Sequence, residues 1–209
     1  MQSADLLLAT GNSGKLRDFR GALVDLPVRV LSSADLELGE GPEEVGASYE
    51  ENAILKAAHG AHASGLPTLA DDSGIEVDAL GGAPGIYSAR FGGKLSDGER
   101  IAYLLDQMRD VPEGKRGAAF VCVLALALPD GRLHTFRGRC EGRILEGPRG
   151  KGGHGYDPIF WSFDLRSSFG EVDEDAKAGV SHRGRAIASL REWLTGAGDV
   201  LAHSGAGAR

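Results

Sequence analysis

The stretch LLLATGNSGK, residues 6–15, sets the pattern from which the fold is predicted. Its apolar first half is short and continuous, which is typical of a buried strand. A small polar loop that contains glycine follows, and apolar residues at helical spacing begin directly after it. The stretch therefore predicts a strand over residues 5–9, a loop over 10–14 and a helix that starts near Gly14 or Lys15.

Similar patterns continue along most of the chain. Ser48 and Glu51 form an S-x-x-E capping box before an alanine-rich helix, and Gly65 is placed to end that helix. Strands and helices alternate at first and a hairpin follows, which predicts a mixed α/β sheet with helices on its faces and binding residues at the strand ends. The other predicted elements are a strand at 28–33, an acidic glycine-rich connection at 35–46, a strand that meets the aspartates of LADD, a helix at 96–111, two long strands around the PDG turn and a last helix at 182–195.

The composition is that of an acidic globular protein. The 209 residues are 42% hydrophobic and 25% charged, which is enough for a sizeable core in one large domain or two closely associated lobes. The net charge of −7, without any basic run, argues against a nucleic-acid partner. No signal-peptide pattern is present, and no apolar stretch approaches the roughly 18 residues of a membrane span. A soluble protein without membrane contact is therefore expected.

The cysteines indicate the cellular compartment, and the glycine-rich end of the chain indicates the extent of the domain. Cys122 and Cys140 have neither a CxxC partner nor zinc-ligand spacing, which favours a reducing, cytoplasmic setting. Residues 1–195 are expected to form a single domain, and the glycine- and alanine-rich residues 196–209 are expected to form a flexible tail.

The loop after the first strand is a candidate anion site. It is not a P-loop, because its glycines are too closely spaced and neither Ser nor Thr follows the lysine. Thr10, Asn12 and Lys15 nevertheless lie at a strand-to-helix junction, where backbone N–H groups and the helix dipole favour an anion. The alternative is a helix cap made by Asn12 or Ser13, with Lys15 in solvent.

Two pairs of carboxylates are candidates for a metal site. Asp71 and Asp72 are adjacent, and neighbouring side chains of an extended chain point to opposite sides, so one could face a metal and a water while the other braces the loop. The alternative is an Asx-turn with both aspartates exposed. Glu43 and Glu44 could complete an all-oxygen site of the kind that Mg²⁺ prefers, or could simply be solvated.

Further candidates lie on the capped helix and in the last third of the chain. Asn52 and Lys56, four residues apart, share one helix face. The glycine-rich and aromatic loop at 147–161 lets the backbone approach a ligand and offers stacking surfaces. Lys177 and the SHRGR segment at 181–185 place basic side chains near the start of the last helix, where the alternative is N-capping by the serine.

Six blocks of the sequence, in this order, resemble the inosine triphosphate pyrophosphatase family: ATGNSGK, SYEENAILKA, ADDSGIEVDALGGAPGIYSARF, RGAAFVCVLAL, GYDPIF and SHRGRA. The resemblance covers residues 5–195. It implies an elongated, two-lobed α/β fold on a long twisted mixed sheet, an active cleft between the lobes and a homodimer. It also implies Mg²⁺-dependent cleavage of ITP, dITP and XTP between the α- and β-phosphates, which yields the nucleoside monophosphate and pyrophosphate and cleanses the nucleotide pool.

The resemblance further implies roles for individual residues. Asp72 would orient and deprotonate the attacking water and contact the metal, with Glu44 or Glu43 as a further metal ligand. Near a metal the pKa of Asp72 is expected to be lowered. Lys56 would add positive charge against the phosphates, and Ser73 would touch the substrate. The other substrate-binding residues that it implies are Thr10, Gly11, Asn12, Ser13, Gly14 and Lys15 for the triphosphate, and His154, Gly155, Tyr156, Asp157, Lys177, His182 and Arg183 for the base and sugar.

One position departs from the family pattern, which usually has phenylalanine where His154 stands. That ring is expected to stack on the purine, and histidine is smaller, polar and able to titrate near neutral pH. Weaker stacking and a pH-dependent KM are therefore expected. Selection against adenine requires donors aimed at a 6-keto oxygen, which Arg183 or backbone N–H groups could supply.

Two other functions are compatible with the pattern. One is a nucleotide-binding regulator, and the other is a nucleotidase that releases orthophosphate or has an altered base preference. The set of Lys15, Lys56, Asp71 and Asp72 argues against the regulator, because a protein that only binds a nucleotide has no need of a water-activating carboxylate.

Overall fold

The computed structural model describes residues 3–196 and 201. Strands and helices alternate through the first third of the chain and again around a long hairpin. The strands are β1 (Ala4–Leu8), β2 (Val28–Ser32), β3 (Thr68–Val77), β4 (Gly117–Ala127), β5 (Leu133–Ile144), β6 (Phe160–Ser162) and β7 (Ser167–Ser168). The helices are α1 (Ser13–Ala22), α2 (Tyr49–Ser64), α3 (Asp97–Gln107), α4 (Glu174–Ala178) and α5 (His182–Gly196), with short 3-10 turns at Asp78–Leu80, Gly85–Arg90, Glu113–Lys115 and Asp157–Ile159.

The seven strands form one open sheet in the order β2-β1-β3-β4-β5-β6-β7. β1 pairs in parallel with β2 and with β3, whereas β6 pairs antiparallel with β5 and with β7. The predicted mixed α/β sheet is therefore confirmed. Within the described residues, no helix has the length and apolarity that crossing a membrane requires.

The chain divides into two compact units. The first comprises the described residues up to Asp72, Val123–Arg137 and those from Ala186 onward, and the second comprises Ser73–Cys122 and Gly138–Arg185. In the second unit an apolar cluster is centred on Phe120, Phe160 and Phe169, whose ring centroids lie 4.7 to 5.9 Å apart. In the first unit the buried apolar residues lie mainly on β1, α1, α2, the start of β3, the end of β4 and α5.

Helix α2 has the start and the end that its sequence predicts. The Ser48 side chain accepts a hydrogen bond from Glu51 N, and Gly65 ends the helix in the left-handed conformation at φ 68°. Small residues form its buried face, and a Cβ added at Gly60 would lie 2.7 Å from the Cγ2 of Thr68 on β3. The helix therefore packs close against the strand, and this closeness brings its polar residues within reach of the β3 carboxylates.

Arg116 is a buried cation whose side chain connects the segment after α3 to the end of β5. Its side chain donates to the carbonyls of Met108 and Val111 after α3, both at 3.1 Å, and to those of Ile144 and Leu145 at the end of β5, at 3.0 and 3.1 Å. Since only 4% of Arg116 is exposed, its guanidinium depends on these carbonyls as hydrogen-bond acceptors.

Some boundaries differ from the sequence-based expectation. Helix α3 ends at Gln107, earlier than predicted, and β3 continues to Val77 instead of ending before the aspartates. The predicted tail at 196–209 lies outside the described residues apart from Gly196, which ends α5, and Leu201, which is buried. Four short elements between residues 157 and 178 had no counterpart in the prediction.

Candidate active site

The loop between β1 and α1 caps its own helix. Asn12 Oδ1 accepts hydrogen bonds from Gly14 N at 2.8 Å and Lys15 N at 3.1 Å, and Thr10 Oγ1 accepts one from Asn12 N. The capping interpretation of Asn12 is thus correct, while Gly11, Asn12 and Ser13 remain exposed to a ligand. An anion that used the N–H groups of Gly14 and Lys15 would have to displace the Asn12 side chain.

Lys15 is held by Asp71 instead of lying in solvent. Its Nζ is 2.9 Å from Oδ1 and 2.8 Å from Oδ2 of Asp71, whose side chain is 1% exposed. The pair joins the start of α1 to the interior of β3, although the two residues are 56 positions apart. The alternative that leaves Lys15 in solvent is therefore wrong, and its positive charge is fixed beside the loop between β1 and α1.

Asp72 has a different set of partners from those of its neighbour. Asn52 Nδ2 donates to Oδ2 of Asp72 at 3.1 Å, and Lys56 Nζ is 3.7 Å from its Oδ1. Both partners come from one face of α2, as their spacing predicts. The Asx-turn interpretation, with both aspartates exposed, is wrong: they lie within β3 and point to opposite sides of it.

Burial raises the pKa of Asp72 in the protein alone, the reverse of the direction expected beside a metal. The positive charge of Lys56 and the hydrogen bond from Asn52 act against the increase, while the negative charges of Glu44 and Asp71 add to it. Asp72 is therefore a carboxylate whose charged form needs nearby positive charge.

Glu44 reaches the same place from the loop before α2. Its Oε1 lies 2.7 Å from Lys56 Nζ, and Glu43 is exposed. Exposure alternates along this extended segment, so only one of the two glutamates can face inward. The structure brings Glu44 into contact with Lys56 and leaves Glu43 exposed.

The carboxylates around Lys56 are suitable ligands for a hard cation. Two carboxylates, Glu44 and Asp72, converge on one ammonium group, so the position between them already accommodates positive charge. No cluster of three or more His, Cys, Asp or Glu residues with metal-ligand geometry occurs in the described part of the chain. Mg²⁺ is compatible with such a site, because it commonly takes one or two carboxylates and completes its shell with water and phosphate oxygens.

In the second unit three of the residues predicted to bind the base and sugar, His154, Asp157 and Lys177, are linked to one another. Lys177 is buried, and its Nζ lies 2.8 Å from Asp157 Oδ2 and 3.3 Å from Glu174 Oε1. The same Asp157 oxygen accepts a hydrogen bond from His154 N at 2.9 Å. Asp157 thereby fixes the loop beside the lysine, and the His154 side chain is left exposed.

The neighbours of His154 are also held by hydrogen bonds. Gly155 N donates to Asp97 Oδ2, and the buried Tyr156 hydroxyl donates to Ser88 O, each at 2.9 Å. Burial raises the pKa of the Tyr156 hydroxyl, which therefore stays protonated as a donor. Tyr156 therefore anchors this loop through its hydrogen bond to Ser88. Ser73, which was predicted to touch the substrate, lies half-buried in β3.

His182 and Arg183 begin α5, as predicted. The His182 ring stacks on Phe120, with centroids 4.8 Å apart and planes 13° apart, and Arg183 is half-buried. Ser181 Oγ accepts a hydrogen bond from Gly184 N, so the N-capping interpretation of the serine is correct. A Cβ at Gly184 would overlap the carbonyl oxygen of Ala178, which shows how closely α4 approaches α5.

Replacing Gly184 by Ala is expected to lower the free energy of unfolding by about 1–3 kcal/mol, because the added methyl group must push α4 away. The matched control is Gly21→Ala in α1, where a Cβ would meet nothing within 4 Å. That variant should gain up to about 1 kcal/mol from helix propensity. Urea unfolding curves of both variants measure the contrast, and equal stabilities would contradict the steric argument.

Two residues that contribute to these arrangements were not assigned to the site from the sequence. Asn52 was noted only for its helix face, and Ser88 was not singled out. Ser88 Oγ accepts from Ile75 N and donates to Gly85 O, at 2.9 and 2.6 Å, while its carbonyl holds Tyr156. Neither residue carries a local signal for these roles, since the contacts of Asn52 with Asp72 and of Ser88 with Ile75 and Tyr156 join distant parts of the sequence.

Comparison with known proteins identifies close relatives over nearly the whole chain. The profile of the Ham1 family matches residues 6–193. The dITP/XTP pyrophosphatase of Thermus thermophilus is 50% identical over 192 residues, which cover 92% of this chain and 92% of that protein. The dITP/XTP pyrophosphatase of Deinococcus radiodurans is 51% identical over 185 residues, which cover 88% and 90% respectively.

Solved structures show the same fold. A HAM1 protein from Coxiella burnetii matches with a TM-score of 0.87 and 39% identity, over 92% of this chain and 99% of that chain. The Ham1 protein of Staphylococcus aureus matches with a TM-score of 0.84 and 38% identity, over 93% and 100%. The two proteins are therefore similar to this chain in amino-acid sequence as well as in fold.

Proposed function

Because the chain belongs to the Ham1 family, we propose that it hydrolyses the deaminated purine nucleoside triphosphates ITP, dITP and XTP to the nucleoside monophosphate and pyrophosphate. The resemblance predicted from the six sequence blocks is confirmed by the family match. The observation that carries the proposal is the pairing of Lys56 with two carboxylates, Glu44 and Asp72, in the first unit. Nothing in the structure favours a regulator that only binds a nucleotide.

The proposed reaction needs a base, fixed positive charge and a held substrate. A water oxygen attacks the α-phosphorus, the bond from that phosphorus to the bridging oxygen breaks, and pyrophosphate leaves. Asp72 accepts the proton of the water, since its carboxylate is held in place by the Asn52 amide and lies beside the Lys56 ammonium group. Lys56 and Lys15 stabilise the negative charge that builds on the phosphates.

Magnesium is part of the proposal. Glu44 and Asp72 would hold Mg²⁺, and Glu43 is a weaker candidate because its side chain is exposed. When bound, Mg²⁺ would neutralise phosphate charge and lower the pKa of the attacking water. This charge also suits a chain with a net charge of −7, which by itself repels a polyanion.

Base selection is assigned to the second unit. His154, Asp157 and Lys177 are already linked there, and Arg183 supplies donors suited to a 6-keto oxygen. The amino group of adenine would leave such a donor facing another donor, at a cost of about 1–3 kcal/mol for each unpaired group.

Replacing His154 by Phe is expected to lower KM for ITP about fivefold, because a larger apolar ring stacks better on the purine, and stacking of a base on an aromatic ring contributes about 1–3 kcal/mol. Steady-state kinetics of the two proteins with ITP measure the effect. Equal KM values would show that the side chain does not contact the base.

Two further parts of the proposal concern the state of the protein. We place it in a reducing, cytoplasmic compartment, supported by Cys122 and Cys140, which are buried thiols. We also propose a homodimer, which is supported only by the resemblance to the family.

A product assay tests the proposed function. Purified protein with Mg²⁺ is given ITP, dITP, XTP, ATP and GTP separately, and pyrophosphate and orthophosphate are quantified apart. Pyrophosphate from the first three, with little from ATP and GTP, is the expected result. Orthophosphate, or no product from any of them, would contradict the proposal, and pyrophosphate from all five would retain the cleavage site and refute the base selection.

A further inference from the structure

Asn52 is a fully buried polar residue beside Asp72, which with Glu44 forms the pair of carboxylates around Lys56. It lies in the first turn of α2 and has 0% of its surface exposed. A buried amide must find hydrogen-bond partners, because leaving it unpaired is costly. Its two partners are the backbone N–H of Gly46 and the carboxylate of Asp72.

These partners fix which way the Asn52 amide points. Gly46 N–H is a donor and lies 2.8 Å from Oδ1, so the oxygen of the amide must face it. The NH₂ group must then face Asp72, where Nδ2 lies 3.1 Å from Oδ2. The flipped amide would set donor against donor at Gly46 and oxygen against carboxylate at Asp72.

The Gly46 contact holds the loop that carries Glu44. Gly46 N donates to Asn52, and Ala47 N donates to Glu51 Oε2 at 2.7 Å, so the segment before α2 is folded back on the helix. A Cβ at Gly46 would lie only 2.6 Å from Asn52 Oδ1, so the fit between loop and amide is tight. Glu44 is two residues earlier in this tethered segment and lies against Lys56.

The Asp72 contact determines which carboxylate oxygen remains available. Asn52 occupies Oδ2, and the other oxygen, Oδ1, is the one on the side of Lys56. One amide therefore fixes both the loop of Glu44 and the rotation of the Asp72 carboxylate.

We infer that Asn52 is a positioning residue, which holds the Glu44 loop and the Asp72 carboxylate in the arrangement needed for turnover. It does not touch the reacting atoms. The inference rests on the proposed function, since it takes Asp72 to be the base of pyrophosphate release.

The test separates the two contacts with substitutions at one position. Asn52→Asp has the same shape and keeps an acceptor for Gly46 N–H, but it places a carboxylate oxygen against Asp72. Asn52→Leu removes both contacts. Each variant is expected to lower kcat for ITP about tenfold to hundredfold, as removal of supporting groups around metal-site ligands does, with KM within about threefold of wild type. Assays are run well below the melting temperature of each variant.

Two controls separate positioning from general structural support. Glu51→Ala removes the tether at Ala47 without touching Asp72, and its effect on kcat should be smaller than that of Asn52→Asp. In an Asp72→Asn background, Asn52→Asp should cause almost no further loss of residual turnover, because the group that it positions is already neutralised.

The outcomes are distinguishable. A wild-type protein that releases no pyrophosphate from ITP overturns the proposed function and this inference with it. An active wild type with both Asn52 variants within twofold of its kcat overturns the inference alone, as does an equal loss in the Asp72→Asn background. If Asn52→Leu does not fold, the isosteric Asn52→Asp decides by the same criteria.

Discussion

Asp72→Asn is expected to lower the turnover of ITP by about 10²–10⁴-fold, the usual contribution of a positioned general base. KM should change less than kcat, because the residues proposed to bind the triphosphate at positions 10–15 are kept. The melting temperature should not fall, since burial already disfavours the charged form of Asp72 and raises its pKa. An asparagine of the same shape still accepts the hydrogen bond from Asn52. Steady-state kinetics and thermal unfolding of the same preparation measure the two effects.

The matched control is the same substitution one residue earlier. Asp71 forms a close ion pair with Lys15 through both oxygens, so Asp71→Asn is expected to destabilise the protein by about 1–3 kcal/mol. The two adjacent substitutions should therefore differ in stability. Turnover of Asp72→Asn within tenfold of wild type would show that Asp72 is not the base, and a loss of stability equal to that of Asp71→Asn would refute the argument from burial.

Arg116→Met is expected to lower the free energy of unfolding by about 3–5 kcal/mol. The substitution keeps the apolar stem but removes the donors of four hydrogen bonds to main-chain carbonyls, three of them buried. Because a folded domain is stable by only about 5–15 kcal/mol, this loss should be evident as a large shift in the urea midpoint.

The control for this variant is Arg143→Met. Arg143 lies at the end of β5, next to Ile144, whose carbonyl Arg116 bonds. Arg143 pairs with Glu113, whose side chain is 71% exposed, and such surface pairs contribute at most about 1 kcal/mol. Arg116→Lys should be intermediate, since one ammonium group cannot reach four carbonyls in the geometry of a guanidinium. Similar midpoints for Arg116→Met and Arg143→Met would mean that the buried carbonyls find other donors.

The elements that the sequence predicts best are those with signals inside the element itself. Helix α2 has its cap at Ser48, its stop at Gly65 and alanines between them, so its ends need no distant information. The same holds for β4, a continuous apolar run that is buried almost throughout.

The elements that escape prediction are held by contacts distant in sequence. Phe160–Ser162 is a strand of three residues whose first ring packs against Phe120 and Phe169, and α4 has only five residues. Segments this short have too little periodicity to be recognised. Continuation of β3 through the aspartates was missed for a related reason: the polar stretch DDSG suggests a turn, and burial against α2 overrides that preference.

The candidate site shows the same division. The residue types of Asp72, Lys15 and Lys56 could be chosen from the sequence, as could the face shared by Asn52 and Lys56. Their partners could not, because the Lys15–Asp71 pair spans 56 positions. The choice of Glu44 over Glu43 depends on which side of an extended loop faces inward, and a pair of identical residues gives no sign of that.

The opposite orientation of the two aspartates in β3 has a consequence for changes in chain length. The strand is anchored to β1 through Thr68 and Leu69, three and two residues before Asp71. One residue inserted between Leu69 and Asp71 would turn both aspartates over, so that Asp71 faced Lys56 and Asp72 faced Lys15. Two inserted residues would restore the sides but move each carboxylate by about 6.6 Å along the strand. The sides on which Asp71 and Asp72 lie therefore depend on whether the number of residues inserted after Leu69 is odd or even. A change in length there could disable the site without altering any acidic or basic side chain.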